Sequence, residues 1–545
     1  MEEVLYYNAN IITMEEDAPH AQAVLVRDGK IAAVGGSEKL LANCSSSAQK
    51  IDMGGRTMLP GFIDSHSHIT MTCLFPRFPS PPVGDIDSPQ KLAEAVKTYL
   101  AEHPVKRGKW FVGMGYDNAS FPNSIHPTCH DLDKASKTIP IVMIHTSGHV
   151  CVLNSAALRQ LGITADTPAP EGGTIHKDAV TGEPTGLLEE KAMMKLLAKK
   201  AMKMAPSIGD ILNMPVKAQE LYASYGITTA QEGAAYSVMN YLYRWLGNRH
   251  KMKLDVAAYM MIDGSAKALK GVDSRVVKYR NHYRIAGAKL LLDGSPQAKT
   301  AWLSKPYYQV PKDKSQDYNG YPVYENHTQV KDYFVQCLQN HWQILVHCNG
   351  DAACQQFIDC YRAAINETGI HENLRPVMVH AQTVRDDQLD AMKELGISPT
   401  FFNDHVYYWG DYHLSSVLGP ERGSRISPFK TAVEKGINVT IHQDTPVVPP
   451  NMLFSVHNAV NRITRDGQPI GTEFAPSTWE ALKAITCNAA WQYHEENLKG
   501  TIKAGKLADF AVLNGDPLTV SPSEIKNITV LETIKEGQTI FKKEE

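Results

Sequence analysis

At 545 residues the chain is too long for one ordinary core and calls for two structural units, or one large barrel with attachments. Hydrophobic residues make up 43% and charged residues 21%, a balance that excludes a disordered chain. A formal net charge of −3, from 55 basic and 58 acidic residues with no long run of one sign, argues against nucleic acid or an anionic membrane as partner and leaves a small molecule as the expected one.

The opening stretch MEEVLYYNANIITMEEDA has acids where a secretory signal carries basic residues, and no later apolar run approaches the roughly 18 to 20 residues of a membrane span. Nine scattered cysteines without a CxxC pair fit reduced thiols, so a cytoplasmic setting is expected. YYNANIITM and AQAVLVRDGKIAAVGG predict short β-strands with a turn at Asp28-Gly29. From residue 58 the pattern changes to short apolar runs separated by helical stretches, the grammar of βα units and a parallel sheet. Eight such runs follow: MLPGFIDSH (58–66), GITTAQEG (226–233), LDVAAYMM (254–261), IAGAKLLLD (285–293), QILVHC (343–348), PVMVHA (376–381), ISPTFF (397–402) and NVTIHQD (438–444). They predict an α/β fold with a closed, TIM-like (β/α)₈ barrel over 58–499. The interval 70–225 is far longer than an ordinary βα connection and predicts an insertion after the first strand that shapes the substrate pocket. Beyond residue 500, GTIKAGKLADFAVLNGDPL and ITVLETIKEGQTIF return to sheet, with a Glu-Gly turn before a closing strand.

Polar residues near the C-terminal ends of these apolar runs stand where barrel enzymes keep their chemistry. His66 and His68 lie two apart in HSH, so in an extended segment both imidazoles project to one face and can hold one ion. Lys289, His347, His380 and Asp444 follow, each on a different run. A single strand histidine is ordinarily a hydrogen-bonded core or surface group; the ordered set of six is what predicts a metal centre. Lys289 has two readings: an ion pair with Asp293, or a neutral amine favoured by burial among Ala288, Leu290 and Leu291.

Candidates for substrate contact are His149, His405, Trp409 and Asp117. His145 and His149 flank Ser147-Gly148 and could donate to a bound carbonyl, His149 being the better placed unless it caps the helix of NSAAL. His405, Tyr407, Tyr408, Trp409 and Asp411 form an aromatic loop that suits a ligand wall, and packing against the insertion is the alternative, as it is for Trp110 and Asp117. Cys348 reads as a buried hydrophobe, and His442 as a hydrogen-bond partner behind the ligands or as a barrel-filling residue.

Through GFIDSHSH, Lys289, His347, His380 and Asp444 the chain resembles the amidohydrolase superfamily. Through SGHVCVLNSAAL, GGTIHKDAVTGEPTGLL, LLLDGSPQAKTA, VHCNGDAA, VHAQ and YYWGDYH it looks like that superfamily's YtcJ-like subgroup, which includes N-substituted formamide deformylase. The resemblance spans nearly the whole chain. It implies that residues 1–57 and 500–545 form one composite β-sandwich. It also implies one or two divalent ions, most simply Zn²⁺, on His66, His68, Lys289, His347, His380 and Asp444, with Lys289 carboxylated by carbon dioxide if two ions are bridged. The implied reaction is hydrolysis of a carbon–nitrogen bond in a non-peptide amide, such as a formamide or another N-acyl amine, by a metal-bound hydroxide with Asp444 as general base and then general acid. Related barrels also deaminate, open rings or decarboxylate, some relatives are described only as regulators, and a homodimer is common among them. The sequence leaves these alternatives open.

Overall fold

A computed structural model of the protein describes residues 3–80, 84–204, 208–311 and 314–544. Its central sheet has eight strands: β1 (Phe62–Ile63), β2 (Ile227–Ala235), β3 (Asp255–Met261), β4 (Tyr283–Leu291), β5 (Gln343–Cys348), β6 (Val377–His380), β7 (Ser398–Phe401) and β8 (Thr440–Ile441). They lie side by side in chain order and all pair in parallel. Strands β3, β5, β6 and β7 are buried at every residue, which is why their sequences are unbroken apolar runs and not alternating ones. Helices such as His327–Gln339 and Asp351–Thr368 cover the outside with residues three or four apart: Val330, Phe334 and Leu338 on one, Phe357, Tyr361 and Ala364 on the next. The two ends of the sheet meet, because Ser65 Oγ donates to Ile441 O across 2.8 Å and His68 N to Thr445 O across 2.7 Å. The sheet fits a TIM-like barrel.

The run expected as one strand over 58–66 is divided. Thr57–Pro60 pairs antiparallel with Phe510–Leu513, whereas Phe62–Ile63 opens the barrel beside β2. Gly61 makes the crossing: a Cβ there would stand 2.4 Å from Thr228 Cγ2, so only glycine lets the backbone pass so close to β2.

The two ends of the chain contribute two further sheets. Glu3–Tyr7, Ala23–Arg27, Lys30–Gly35 and Gln49–Asp52 form one, and Asn10–Ile12, His20–Ala21 and Thr57–Pro60 join Phe510–Leu513, Val530–Lys535 and Gln538–Lys542 in the other. Tyr6, Val24 and Val26 of the first meet Ile11, Met58, Phe510 and Ile534 of the second in one buried cluster. Two hairpins close through paired left-handed residues, Asp28 (φ 47°) with Gly29 (φ 77°) and Glu536 (φ 49°) with Gly537 (φ 77°), as two-residue turns require.

Between β1 and β2 lies a five-stranded sheet made of Phe111–Tyr116, Ile141–His145, Val150–Leu153, Gly173–Lys177 and Pro184–Glu190. It is apolar on both faces. Ile141, Met143, Val150 and Val152 pack on one side with Leu92 and Val96 of the helix Pro89–Glu102, while Val142, Cys151 and Leu153 pack on the other with Ala157 and Trp110. Among the described residues no helix is long and apolar enough to cross a membrane.

At the N-terminal ends of the barrel strands, Asp255 of β3 accepts from Lys499 Nζ (2.6 Å), Lys535 Nζ (2.9 Å) and His282 Nδ1 (2.8 Å). Burial alone would raise its pKa, but the two ammonium groups and His282 outweigh that and hold the carboxyl well below the usual range. The cluster ties the barrel to the C-terminal strands, at the end of the fold where barrels keep stability and not chemistry.

Candidate metal centre

The opposite end collects the six residues expected as ligands. His66 and His68 follow β1, Lys289 lies near the end of β4, His347 near the end of β5, His380 closes β6 and Asp444 follows β8. The backbone turns sharply at two of them: His380 (φ 70°) and Asp444 (φ 54°) are left-handed, a conformation that costs a side-chain-bearing residue energy and gathers at functional sites.

Asp444 is the hub. Its Oδ1 stands 3.5 Å from Nε2 of both His66 and His68, and its Oδ2 4.0 Å from His380 Nε2. Lys289 Nζ lies 3.3 Å from His66 Nε2, and the His347 ring is centred 4.6 Å from that of His380. The ligating atoms of His66, His68 and Asp444 all fall within 4.8 Å of one another, as do those of His380, His442 and Asp444. Asp444 Oδ1 is buried yet has no hydrogen-bond partner among the described residues. Two donors each ~2.0–2.1 Å from a tetrahedral ion stand ~3.3–3.4 Å apart, close to the separations around this oxygen, and a nitrogen-rich set with one carboxylate suits Zn²⁺ or a similar ion. The residues fit such an ion.

Burial holds His66, His347 and His380 well below the ordinary histidine range, which keeps them neutral, the form that ligates. His68 differs: against burial, the carboxylates of Asp444 and Glu232 raise it to about 9, so it carries a proton that an ion would displace. Burial would raise the Asp444 carboxyl, but the charged His68 beside it, first among the surrounding imidazoles, holds it well below the usual carboxylate range. The Lys289 ammonium is pushed down to about 7 by burial, against the pull of Asp444.

Behind the ligands stand partners that fix their rings. Gln231 Oε1 lies 2.6 Å from His66 Nδ1, and the Gln231 amide donates to Ser65 O across 2.7 Å. Asp293 pairs with His347 Nδ1 (3.2 Å) and accepts from the backbone N–H groups of Asn349, Gly350 and Trp302, so it is the partner of His347 and not of Lys289. His442 Nε2 lies 3.1 Å from His380 Nδ1, the supporting position its spacing suggested. Cys348 is buried in the outer hydrophobic cluster.

Beside Asp444 lies a tight cavity of about 20 Å³, measured as room for the centre of a water-sized sphere, lined by His149, His405 and Trp409 among others. The fourth candidate, Asp117, lies in a neighbouring cleft: its carboxylate accepts from Trp409 Nε1 (2.5 Å) and sits 3.5 Å from His145 Nε2, so it braces the wall from behind. Trp110 belongs to the core of the inserted sheet and donates to Gln160. Tyr407 and Tyr408 pack against Phe454, and Asp411 accepts from Thr464. His149 caps no helix, since Asn154 fills that place for Ser155–Leu161. Its Nδ1 instead pairs with Glu190 Oε2 at 2.9 Å. Glu190 escaped the sequence reading, although two acids closing the apolar strand PTGLLEE were a signal.

Over residues 49–541 the chain matches the amidohydrolase family. It is 25% identical to YtcJ of Bacillus subtilis (strain 168) over 99% of both chains, and 27% identical to the N-substituted formamide deformylase of Arthrobacter pascens over 98% of both. Its fold is similar to that of an uncharacterized metal-dependent hydrolase from Pyrococcus furiosus, with a TM-score of 0.71 and 24% identity over 95% of this chain and 100% of that one. The family match takes in every barrel strand and the inserted sheet, and the chain belongs to the amidohydrolase family.

Proposed function

We propose that the protein is a metal-dependent hydrolase of carbon–nitrogen bonds in non-peptide amides, with N-substituted formamides and related N-acyl amines as its substrate class. The observation that carries this reading is Asp444 Oδ1, buried without a hydrogen-bond partner among the described residues and 3.5 Å from both His66 and His68. His66, His68, His380 and Asp444, with Lys289 and His347 beside them, would hold one or two divalent ions, Zn²⁺ being the simplest choice. When bound, such an ion supplies Lewis acidity toward a carbonyl and toward water. Lys289, lowered to about 7, has the neutral fraction that N-carboxylation by carbon dioxide needs.

The chain's own groups divide the rest of the work. Ionised Asp444 accepts the proton of the attacking water and returns it to the leaving nitrogen, as general base and then general acid. His149, braced by Glu190, donates to the carbonyl oxygen as negative charge builds there. His405 and Trp409 close the side wall. Gln297 lines both the cavity at Asp444 and a much wider cleft that includes Ile125, Lys299 and Tyr412, an arrangement that suits a small acyl group at the metal and a larger N-substituent outside. The full-length similarity to a deformylase of N-substituted formamides supports the same class.

The test is metal-replete protein against N-alkyl formamides, the matching acetamides and aminated heterocycles, with amine, carboxylate and ammonia measured separately. The reading expects amine and formate, and their loss in His66→Ala. Ammonia from ring substrates with no amide cleaved would overturn it in favour of a deaminase.

A further inference from the structure

Hydrogen bonds around His145 settle which way the Ser147 hydroxyl points. The Ser147 backbone N–H donates to His145 Nδ1 (3.1 Å), so that nitrogen is an acceptor and the ring proton sits on Nε2, 3.5 Å from Asp117 Oδ1. Ser147 Oγ is 2.8 Å from the same Nδ1, and the hydroxyl proton turns toward it to share, in a three-centre bond, the one lone pair that the backbone N–H also uses. With its proton turned toward His145, Oγ keeps two lone pairs. One accepts the His149 backbone N–H at 3.3 Å. His145 is wholly buried, whereas Ser147 is partly exposed in the wall of the cavity that also holds His149 and Asp444.

We propose that Ser147 Oγ is a hydrogen-bond acceptor in the substrate cavity that recognises the N–H of a secondary amide, and so selects N-monosubstituted amides over esters of the same shape. This deepens the amide-hydrolase reading above and rests on it. A secondary amide meets the free lone pair with a donor. An ester places an oxygen lone pair there instead, and the mismatch leaves two acceptors facing each other in a confined space. The hydroxyl does not simply rotate to suit: turning its proton into the cavity breaks its bond to a buried imidazole whose orientation Asp117, itself anchored by Trp409, helps to set. Ser147 is thus a specificity residue, and the groups behind it are positioning residues.

The experiment compares kcat/KM for an N-alkyl formamide with that for the alkyl formate of the same chain, in metal-replete wild type, Ser147→Ala and Ser147→Thr. The amide-to-ester ratio does not depend on the fraction of protein that is active, so a variant that merely folds less well leaves it unchanged. The ratio is expected to fall about tenfold in Ser147→Ala, the scale of one hydrogen bond, and to stay within about twofold of wild type in Ser147→Thr, which keeps the acceptor. A ratio unchanged in Ser147→Ala overturns the role of Ser147 while leaving amide hydrolysis standing. Wild type that cleaves no amide overturns the amide reading and this inference with it.

Discussion

Glu190 Oε2 meets His149 Nδ1 at 2.9 Å from a backbone conformation, φ 49° and ψ −126°, that suits glycine far better than glutamate. Its other carboxylate oxygen accepts from Thr300 Oγ1 at 2.9 Å. A side chain kept at a glycine position, buried and bonded to a residue that lines the cavity beside Asp444, is the kind of strain that gathers at functional sites.

Glu190→Gly should therefore separate stability from activity. Relief of ~1–3 kcal/mol of backbone strain offsets the ~1–3 kcal/mol lost with the buried hydrogen bonds, so Tm should move little. The kcat should fall ~10–100-fold, the scale for removing an orienting partner. Glu190→Gln, which keeps the strain and loses the charge, should lose activity with no gain in Tm. Thermal melts and steady-state kinetics on the two variants check this, and full activity in Glu190→Gly would show that His149 needs no such brace.

Lys289 should be indispensable in its side-chain charge state and not merely in its bulk. Lys289→Ala should lose about 10²–10³-fold in kcat/KM, the loss typical when one electrostatic partner leaves a site. A short carboxylic acid such as propionate should restore part of it by standing in for a carboxylated lysine, and Lys289→Arg should not be restored. Rescue by short amines in place of acids would mean that the free amine is the working form.

Asp255 predicts a pH dependence of stability with a definite sign. Its folded pKa lies well below the unfolded value of about 3.9, so its contribution is fully present above that value and is lost as pH falls toward the folded pKa. Asp255→Asn, which leaves Lys499 only Glu495 and Lys535 only Asp509 as a buried carboxylate partner, should cost about 1–3 kcal/mol at pH 7. In denaturant melts the deficit relative to wild type should shrink on acidification below about pH 4. A deficit that is constant with pH would mean that packing, and not charge, is what Asp255 supplies.

The barrel and its six candidate ligands were legible because local pattern carries both. Parallel strands buried on two faces are unbroken apolar runs, and a histidine or carboxylate at the end of such a run stands out. The split at Gly61 was not legible, since what parts the two strands is the approach of Thr228, far away in sequence. Gln231 and Glu190 were missed for the same reason, as was the bond between Trp409 and Asp117: the partners His66, His149 and Trp409 lie 165, 41 and 292 residues away. Asp293 looked like the partner of Lys289 because it lies four residues on, but three backbone N–H groups from the segments after β4 and β5 turn its carboxylate to His347.

Everything proposed for this site turns on His66, His68, His380 and Asp444 holding an ion that the reaction needs. The most direct measurement is anomalous diffraction at the zinc edge from crystals of the purified protein, paired with amide hydrolysis before and after chelation. The account predicts an anomalous peak between Asp444 and the imidazoles of His66 and His68, with activity lost on chelation and regained with Zn²⁺. An ion bound elsewhere with these residues bare, or full amide hydrolysis by chelated protein, would contradict it.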